Sequence, residues 1–218
     1  MNDEINKNML KSQTSIVGIV CKDGVVLAAD RRVTAGGQLV VKKDEQKAKK
    51  INDYLVMAWT GMAADAALSE KIIAAELRLK ELQTRARPTI SEAANLIGLM
   101  YYRNIRTQML IPHIVGALVA GVNEDGTTCL FSIEPAGTVS EIKDYDANFS
   151  SGMPFILGLL ERTYRKDLSV KEGIELAKEC IKSSTQRDPG SGNGIDVFSI
   201  TKEGIQHVIA EEILPNYK

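Results

Sequence analysis

Histidine and cysteine are scarce in this sequence, which argues against most metal and redox chemistry. The only two histidines, His113 and His207, each lack a second histidine at metal-ligand spacing, so the sequence does not predict a zinc site. The three cysteines, Cys21, Cys129 and Cys180, form no CxxC pair. Each lies in an apolar run, so we interpret them as buried free thiols, as expected in a reducing compartment.

Long apolar runs and an excess of one charge are also absent. No segment approaches the roughly 18 apolar residues of a membrane span, and the first 13 residues lack the apolar stretch of a signal peptide. The 27 basic and 28 acidic residues nearly cancel, so no surface for nucleic acid or membrane is indicated. We therefore expect a cytoplasmic protein that binds neither nucleic acid nor membrane.

The apolar pattern of the 218 residues predicts one large domain of the α+β class. Strands are predicted at 15–21, 25–29, 39–42, 54–60, 113–122, 127–133, 195–201 and 206–210, and helices at 63–83, 89–108, 154–164 and 170–186. The first strand is apolar on both faces and needs cover on both sides. Two sheets between two layers of helices satisfy that requirement.

Three local signals support these boundaries. Asp23-Gly24 between two apolar runs predicts a β-hairpin, because that pair accepts positive φ. Thr89 with Glu92 three residues later predicts a capping box. The helix at 63–83 carries one apolar face, made of Ala64, Leu68, Ile72, Ala75 and Leu79.

Charged and glycine-rich positions have ordinary interpretations when each is taken alone. Asp30, followed by two arginines, reads as a solvated strand end, and Lys47 reads as part of a charged loop. The segment 190–194 could pass for a phosphate loop, but it lacks the GK[ST] ending and a strand follows it. A tight turn is the better interpretation of that segment.

Several spaced blocks, taken together in one order, resemble the proteasome β subunits, most closely the archaeal type. The blocks are Thr14 to Gly18, Lys22 to Arg32, Thr60-Gly61, Ala64 to Ala66, Ser151 to Phe155, Gln186 to Asp188, Ser191-Gly192 and Ile195 to Val197. The resemblance extends from Thr14 to about Ala210. It implies the four-layer αββα sandwich of the N-terminal nucleophile hydrolases, with residues 1–13 as a propeptide and 14–218 as the peptidase domain.

The resemblance also implies a role for each matching residue. Thr14 would be the nucleophile, and the rest of the catalytic set would be Asp30, Lys47, Ser151, Asp188 and Ser191, with the Gly61 N–H as oxyanion donor and Arg32 as a supporting residue. The substrate pocket would be lined by Val33, Thr34, Trp59 and Ala63. The position of Lys47 is fixed by matching 51–53 to the family's Ile-x-Asp, although Lys49 and Lys50 are close by.

The chemistry suits these residue types. A hydroxyl is a weak nucleophile until a base takes its proton, and an N-terminal threonine carries its own base, an α-amine with a reference pKa of about 7.7–8.0. A nearby lysine favours loss of the hydroxyl proton. No metal or organic cofactor is needed. While residue 13 remains attached, that nitrogen is an amide, so the unprocessed chain should be inactive.

The resemblance implies partners as well as chemistry. We expect stacked seven-membered rings with proteasome α subunits and other β subunits, unfolded polypeptide as substrate, and a regulatory ATPase that acts through the α ring. Two alternatives stay open. One is a non-catalytic scaffold subunit in a mixed ring, and the other is the related two-ring bacterial threonine protease, which the QRDxxSG block and the chain length fit less well.

Gln13 departs from the family pattern, which has glycine before the threonine. Its side chain should obstruct the sharply bent backbone needed for self-cleavage, so we expect cleavage between Gln13 and Thr14 to be slow or to need an active neighbour. Trp59, the only tryptophan, either narrows the substrate pocket or packs in the core. If it narrows the pocket, small or medium apolar residues should be favoured before the cut bond.

Overall fold

The structure, a computed structural model, describes residues 13–35, 37, 39–109 and 112–212, so most of the predicted propeptide lies outside it. The strands in this part of the chain are β1 Ile16–Cys21, β2 Gly24–Asp30, β3 Val33–Ala35, β4 Leu39–Lys42, β5 Ala48–Asn52, β6 Leu55–Gly61, β7 Val115–Val122, β8 Thr128–Ile133, β9 Val139–Ile142, β10 Tyr145–Asp146, β11 Gly194–Thr201 and β12 Gly204–Glu212. The helices are α1 Ala63–Thr84, α2 Ile90–Arg106, α3 Met153–Thr163 and α4 Val170–Thr185.

The strands form two five-stranded sheets and a separate hairpin. The first sheet has the order β10-β1-β2-β11-β12 and the second β5-β6-β7-β8-β9, with antiparallel neighbours throughout. The β3–β4 hairpin stands apart from both. Every predicted strand and helix is present, whereas the short strands β3, β5, β9 and β10 were not predicted.

Alternate side chains of β2 enter two different cores. Val25 and Leu27 belong to the cluster between the sheets, whereas Val26 and Ala28 pack towards α3 and α4. Helices α1 and α2 cover the outer face of the second sheet. The layers therefore run helix, sheet, sheet, helix, and the predicted α+β sandwich is confirmed.

The first hairpin is confirmed, but the sequence argument placed its turn one residue too late. Cys21 pairs with Gly24, so the loop residues are Lys22 and Asp23. Neither of these two residues nor Gly24 has a positive φ. Gly24 is needed for a different reason, since a Cβ there would lie 2.3 Å from the Ile200 carbonyl oxygen. Close approach of two strands requires this glycine.

Helix α2 begins as predicted, with Thr89 and Glu92 forming a capping box. The predicted apolar face of α1 is wrong: Leu68, Ile72 and Leu79 are 59%, 40% and 48% exposed. The face against β5 and β6 is instead formed by Ala66, Ser69, Ile73 and Leu77. The helix carries two apolar stripes, and periodicity alone does not decide which one meets the sheet.

Candidate active site

Thr14 lies immediately before β1 and is almost completely buried, at 2% exposure. Its main-chain nitrogen donates a hydrogen bond of 2.8 Å to Ser151 Oγ. Its Oγ1 donates to the carbonyl oxygen of Gln13 at 2.7 Å. The hydroxyl therefore lies beside the carbonyl group that precedes it in the chain.

The carboxylate of Asp30, at the end of β2, has no exposed surface and accepts hydrogen bonds on both oxygens. Oδ1 accepts from the Ser15 N–H at 2.9 Å and from the Lys47 ammonium at 2.8 Å. Oδ2 accepts from the N–H groups of Arg32 and Gly192, both at 2.9 Å. Asp30 thus fixes Lys47, the start of β1 and the loop before β11 relative to one another.

Lys47 lies just before β5 and is 1% exposed. Burial lowers the pKa of its ammonium group, and the neighbouring Asp30 carboxylate opposes that effect. The solvated strand end expected for Asp30 and the charged loop expected for Lys47 are therefore both wrong. An isolated charge would not be buried here, but two opposite charges in contact can be.

Asp188 holds two serine hydroxyls at once. Its Oδ2 accepts from Ser151 Oγ at 2.6 Å and from Ser191 Oγ at 2.5 Å. Because Ser191 has a single hydroxyl proton, the hydroxyl of Ser15, 2.7 Å from it, is then the donor to Ser191. One chain of hydrogen bonds links the Thr14 nitrogen to a buried carboxylate through Ser151, and the arrangement can carry a proton along that line.

Ser15 was missed by the sequence analysis. It contacts both halves of the site, through its N–H to Asp30 and its hydroxyl to Ser191. It carried only a weak signal, a polar hydroxyl at the start of a run that is otherwise apolar. A Cβ on Gly152 would lie 2.0 Å from the Ser15 hydroxyl oxygen, so glycine is required across from it.

The side chain of Arg32 supports the loop before β11, while its main-chain N–H is the group that binds Asp30. Its Nε donates to Asn193 Oδ1 at 2.7 Å and its Nη1 to the Pro189 carbonyl at 2.8 Å. Gly192, with φ of +146°, lies so close that a Cβ would be 2.5 Å from Arg32 Nη2. Residues 190–193 therefore form a turn packed on the site, and the predicted strand that follows already begins at Gly194.

Gly61 ends β6 with φ of +106°. A Cβ there would lie 2.1 Å from the Ile114 carbonyl oxygen, so a side chain is excluded both by backbone conformation and by space. The Trp59 N–H donates to the Lys47 carbonyl at 3.2 Å, which ties the end of β6 to Lys47. The role of the Gly61 N–H as an oxyanion donor stays a prediction.

The predicted pocket residues differ in their surroundings. Val33 and Thr34 in β3 and Ala63 at the start of α1 are partly buried, whereas Trp59 is only 2% exposed and belongs to the core cluster that includes the space between the sheets. Burial raises the pKa of the Glu70 carboxyl, and the neighbouring Lys49 ammonium opposes that effect.

No group of three or more His, Cys, Asp or Glu side chains among the described residues is placed to hold a metal ion. The cysteines there are free thiols, as predicted, although only Cys21 and Cys180 are buried and Cys129 is partly exposed. The groups in the site that can take part in a reaction are its hydroxyls, one ammonium and two buried carboxylates.

Comparison with known proteins decides the family. A family model described as "Proteasome subunit" matches residues 10–200. This chain belongs to the proteasome subunit family. The match includes every catalytic position that the sequence analysis singled out, from Thr14 to Ser191.

Archaeal members of the proteasome subunit family align with this chain over most of its length. A protein named "Proteasome subunit beta" from Nanoarchaeum equitans is 39% identical over 198 residues, which cover 91% of this chain and 98% of that protein. One of the same name from Methanocaldococcus vulcanius is 34% identical and covers 92% and 87%, respectively. One from Methanococcus maripaludis is 36% identical and covers 97% and 94%.

In the described part of the chain, no helix combines the length and the apolar character of a membrane span.

Proposed function

We propose that this proteasome-family chain is a threonine endopeptidase with Thr14 as its nucleophile, active once residues 1–13 have been removed. The observation that carries the proposal is the hydrogen-bond chain from the Thr14 nitrogen through Ser151 to Asp188. Cleavage before Thr14 turns that nitrogen into an α-amine. This α-amine, which is the general base, then already lies next to the Ser151 hydroxyl, and that hydroxyl is bound to the Asp188 carboxylate, so both groups can accept and return protons.

The reaction follows from these positions. Thr14 Oγ1 attacks the substrate carbonyl carbon, and the hydroxyl proton passes to the α-amine. The amine then protonates the leaving nitrogen as the peptide C–N bond breaks, which leaves an ester on Thr14. Water hydrolyses that ester by the reverse sequence of proton transfers. An N–H at Gly61 would stabilise the oxyanion, an effect typically worth about 10²–10³ in rate.

Lys47 and Asp30 supply the electrostatic part of the proposal. A buried ammonium group favours the deprotonated hydroxyl and the neutral amine. Asp30 orients the ammonium at 2.8 Å and also binds the N–H of Ser15, which follows the nucleophile directly. Asp30 thus links the charge to the residue after the nucleophile through one ion pair and one main-chain hydrogen bond.

Removal of residues 1–13 can use the same nucleophile. Attack of Thr14 Oγ1 on the Gln13 carbonyl carbon breaks the Gln13–Thr14 peptide bond, the nitrogen takes the proton, and the resulting ester is hydrolysed by water. The 2.7 Å contact between the hydroxyl and the Gln13 carbonyl oxygen supports this proposal.

We also propose that the chain works inside stacked rings of α and β subunits, on unfolded polypeptide delivered by a regulatory ATPase. Exposed apolar side chains on α1, at Leu68, Ile72, Leu79 and Leu82, favour burial against other subunits. Gln13 is the observation that keeps the scaffold alternative open, since a scaffold subunit needs no efficient cleavage.

The test is peptide hydrolysis by the assembled particle. Thr14→Ala should abolish activity without unfolding the chain, and Thr14→Ser should retain part of it. Thr163→Ala is the matched control, because the Thr163 hydroxyl donates only to its own helix at Leu159. Full activity of Thr14→Ala in particles that contain no other active subunit would reject Thr14 as the nucleophile, whereas no activity of the unaltered chain in such particles would favour the scaffold role.

A further inference from the structure

The side chain of Gln13 fills space that two glycines leave open. A Cβ on Gly190 would lie 1.8 Å from Gln13 Cβ, and its three nearest neighbours would all be atoms of Gln13. A Cβ on Gly37 would lie 2.7 Å from Gln13 Nε2, again with only Gln13 atoms as its three nearest neighbours. The Thr34 hydroxyl lies 3.4 Å from Gln13 Oε1 and can donate to it.

We propose that Thr34, Gly37 and Gly190, hereafter the Gln13 seat, determine which residue can precede the cleavage site. The seat holds the Gln13 side chain in the unprocessed chain and so keeps its carbonyl group beside the Thr14 hydroxyl. This inference rests on the proposed function, because cleavage there uses Thr14.

Position 190 requires glycine because there is no room for a side chain, and not because of its backbone conformation. Its φ lies outside the left-handed region, so an alanine would meet no backbone strain, whereas Gly37 has φ of +71°. Gly190 therefore isolates the effect of space, and Gly37 does not.

The seat is joined to the catalytic network. The Gly190 N–H donates to Asp188 Oδ1 at 3.1 Å, and Asp188 binds Ser151, which accepts from the Thr14 nitrogen. If a methyl group at 190 pushed against Gln13, the loop could yield only by moving Asp188, or Gln13 could yield only by moving its carbonyl. Either movement disturbs the alignment needed for attack.

A side chain at residue 13 was expected to obstruct cleavage, and the missing side chains of Gly37 and Gly190 make room for it. Once residues 1–13 have left, the three atoms nearest to a Cβ at position 190 have left with them, because all three belong to Gln13. The seat is a requirement of the unprocessed chain, and a processed chain should tolerate a methyl group there.

The first experiment measures the contact without cleavage. In a Thr14→Ala background, Gly190→Ala should lower the Tm by roughly 2–12 °C, because overpacking is destabilising. The same change made together with Gln13→Gly should lower it by less than half as much. Gly158→Ala is the control, since nothing lies within 4 Å of a Cβ at that helix position.

The second experiment follows release of residues 1–13 by intact mass, with Thr14 present. Gly190→Ala should slow release at least tenfold. Adding Gln13→Gly should restore the rate to within about threefold of Gln13→Gly alone. Adding Gln13→Ala should not restore the rate, because alanine at that position keeps the Cβ that clashes with the methyl group of Gly190→Ala. The series at position 13 with native Gly190 also covers the case in which Gly190→Ala fails to fold.

The proposal would be rejected if Gly190→Ala lowered the Tm equally with native Gln13 and with Gln13→Gly. It would also be rejected if Gly190→Ala released residues 1–13 at an unchanged rate. If the Tm coupling is seen but no variant ever releases the segment, the proposed function fails and the seat's role in cleavage fails with it, while the contact itself stands.

Discussion

The ammonium group of Lys47 lies 2.8 Å from Asp30 Oδ1, with side chains that are 1% and 0% exposed. The neighbouring lysines are different. Lys49 is 29% exposed and pairs with Glu45 and Glu70, and Lys50 is 44% exposed and pairs with Asp53. Among these three lysines, Lys47 alone is placed inside the site.

Lys47→Ala should remove most peptidase activity, whereas Lys49→Ala should leave it nearly unchanged. Loss of the ammonium removes the charge that favours the ionised hydroxyl, and it also leaves Asp30 buried without its cation, at a cost of about 3–5 kcal/mol in the free energy of unfolding. Peptide hydrolysis and Tm should be measured together, so that unfolding is not mistaken for lost chemistry. A dead Lys49→Ala variant would show that the assignment of the lysine is wrong.

Replacing Trp59 separates its two possible roles. Trp59→Gly removes a fully packed indole, and substitutions of this kind cost about 3–5 kcal/mol in stability. If the indole also limits the pocket, the variant should accept larger side chains before the cut bond, and misfits of one methylene should change discrimination by about 1–3 kcal/mol. A panel of peptides that vary at that residue gives the measurement.

Phe198→Leu, at another buried aromatic position, is the control for Trp59. It should lower stability without changing peptide preference. An unchanged preference in Trp59→Gly would mean that the indole serves only the core.

The capping box of α2 should make stability depend on acid pH. The Lys80 ammonium, together with the Thr89 N–H and hydroxyl, lowers the pKa of Glu92 from 4.5 to about 2. A carboxyl whose folded pKa is depressed contributes stability that is fully present above its unfolded pKa. That contribution should be lost as pH falls from about 4.5 to about 2.

Glu92→Gln should therefore lower the free energy of unfolding at pH 7 by only roughly a few tenths of a kcal/mol, because the pair is exposed and screened, and the Tm should fall slightly. The difference from the unaltered chain should shrink as pH approaches 2. Glu179→Gln, in the middle of α4, is the control for removal of a surface charge. A difference that is constant from pH 7 to pH 2.5 would exclude the ionised cap.

The thiols should react in a fixed order. Burial raises the pKa of Cys21 and of Cys180 to about 12, so at neutral pH only about one in 10⁵ of either is a thiolate. Cys129 is partly exposed, and burial raises its pKa as well. Iodoacetamide at neutral pH, followed by peptide mass mapping, should modify Cys129 first and the other two only after unfolding. Early modification of Cys21 would indicate that β1 opens in the native protein.

Elements with a strong local signal were predictable from the sequence. The four helices, the first hairpin and the Thr89 capping box follow from apolar period, turn residues and cap chemistry. Strand β5 was not, because 48–52 carries two lysines, and its place in the sheet depends on pairing with β6. Strand β10 contains two residues, too few for any period to show.

The candidate site was predictable only through resemblance. Asp30 and Lys47 are 17 positions apart in the sequence and Thr14 and Ser151 are 137 apart, so no local pattern brings them together. Charge alone gave the opposite answer for both members of the ion pair, because local sequence does not report that a partner arrives from another strand. Ser15 illustrates the same limit, since its two contacts come from β2 and from the loop before β11.

The four hydrogen bonds received by Asp30 have a consequence for how inactive variants are interpreted. Three of the donors are main-chain N–H groups, at Ser15, Arg32 and Gly192. In Asp30→Asn, the side-chain NH₂ group would point at one or more of these N–H donors and could not accept from them. In Asp30→Ala, all three N–H groups would lose their acceptor. A dead Asp30 variant is therefore ambiguous between damaged scaffolding and missing electrostatics, and Lys47, which donates to a single acceptor there, is the more informative place from which to probe the pair.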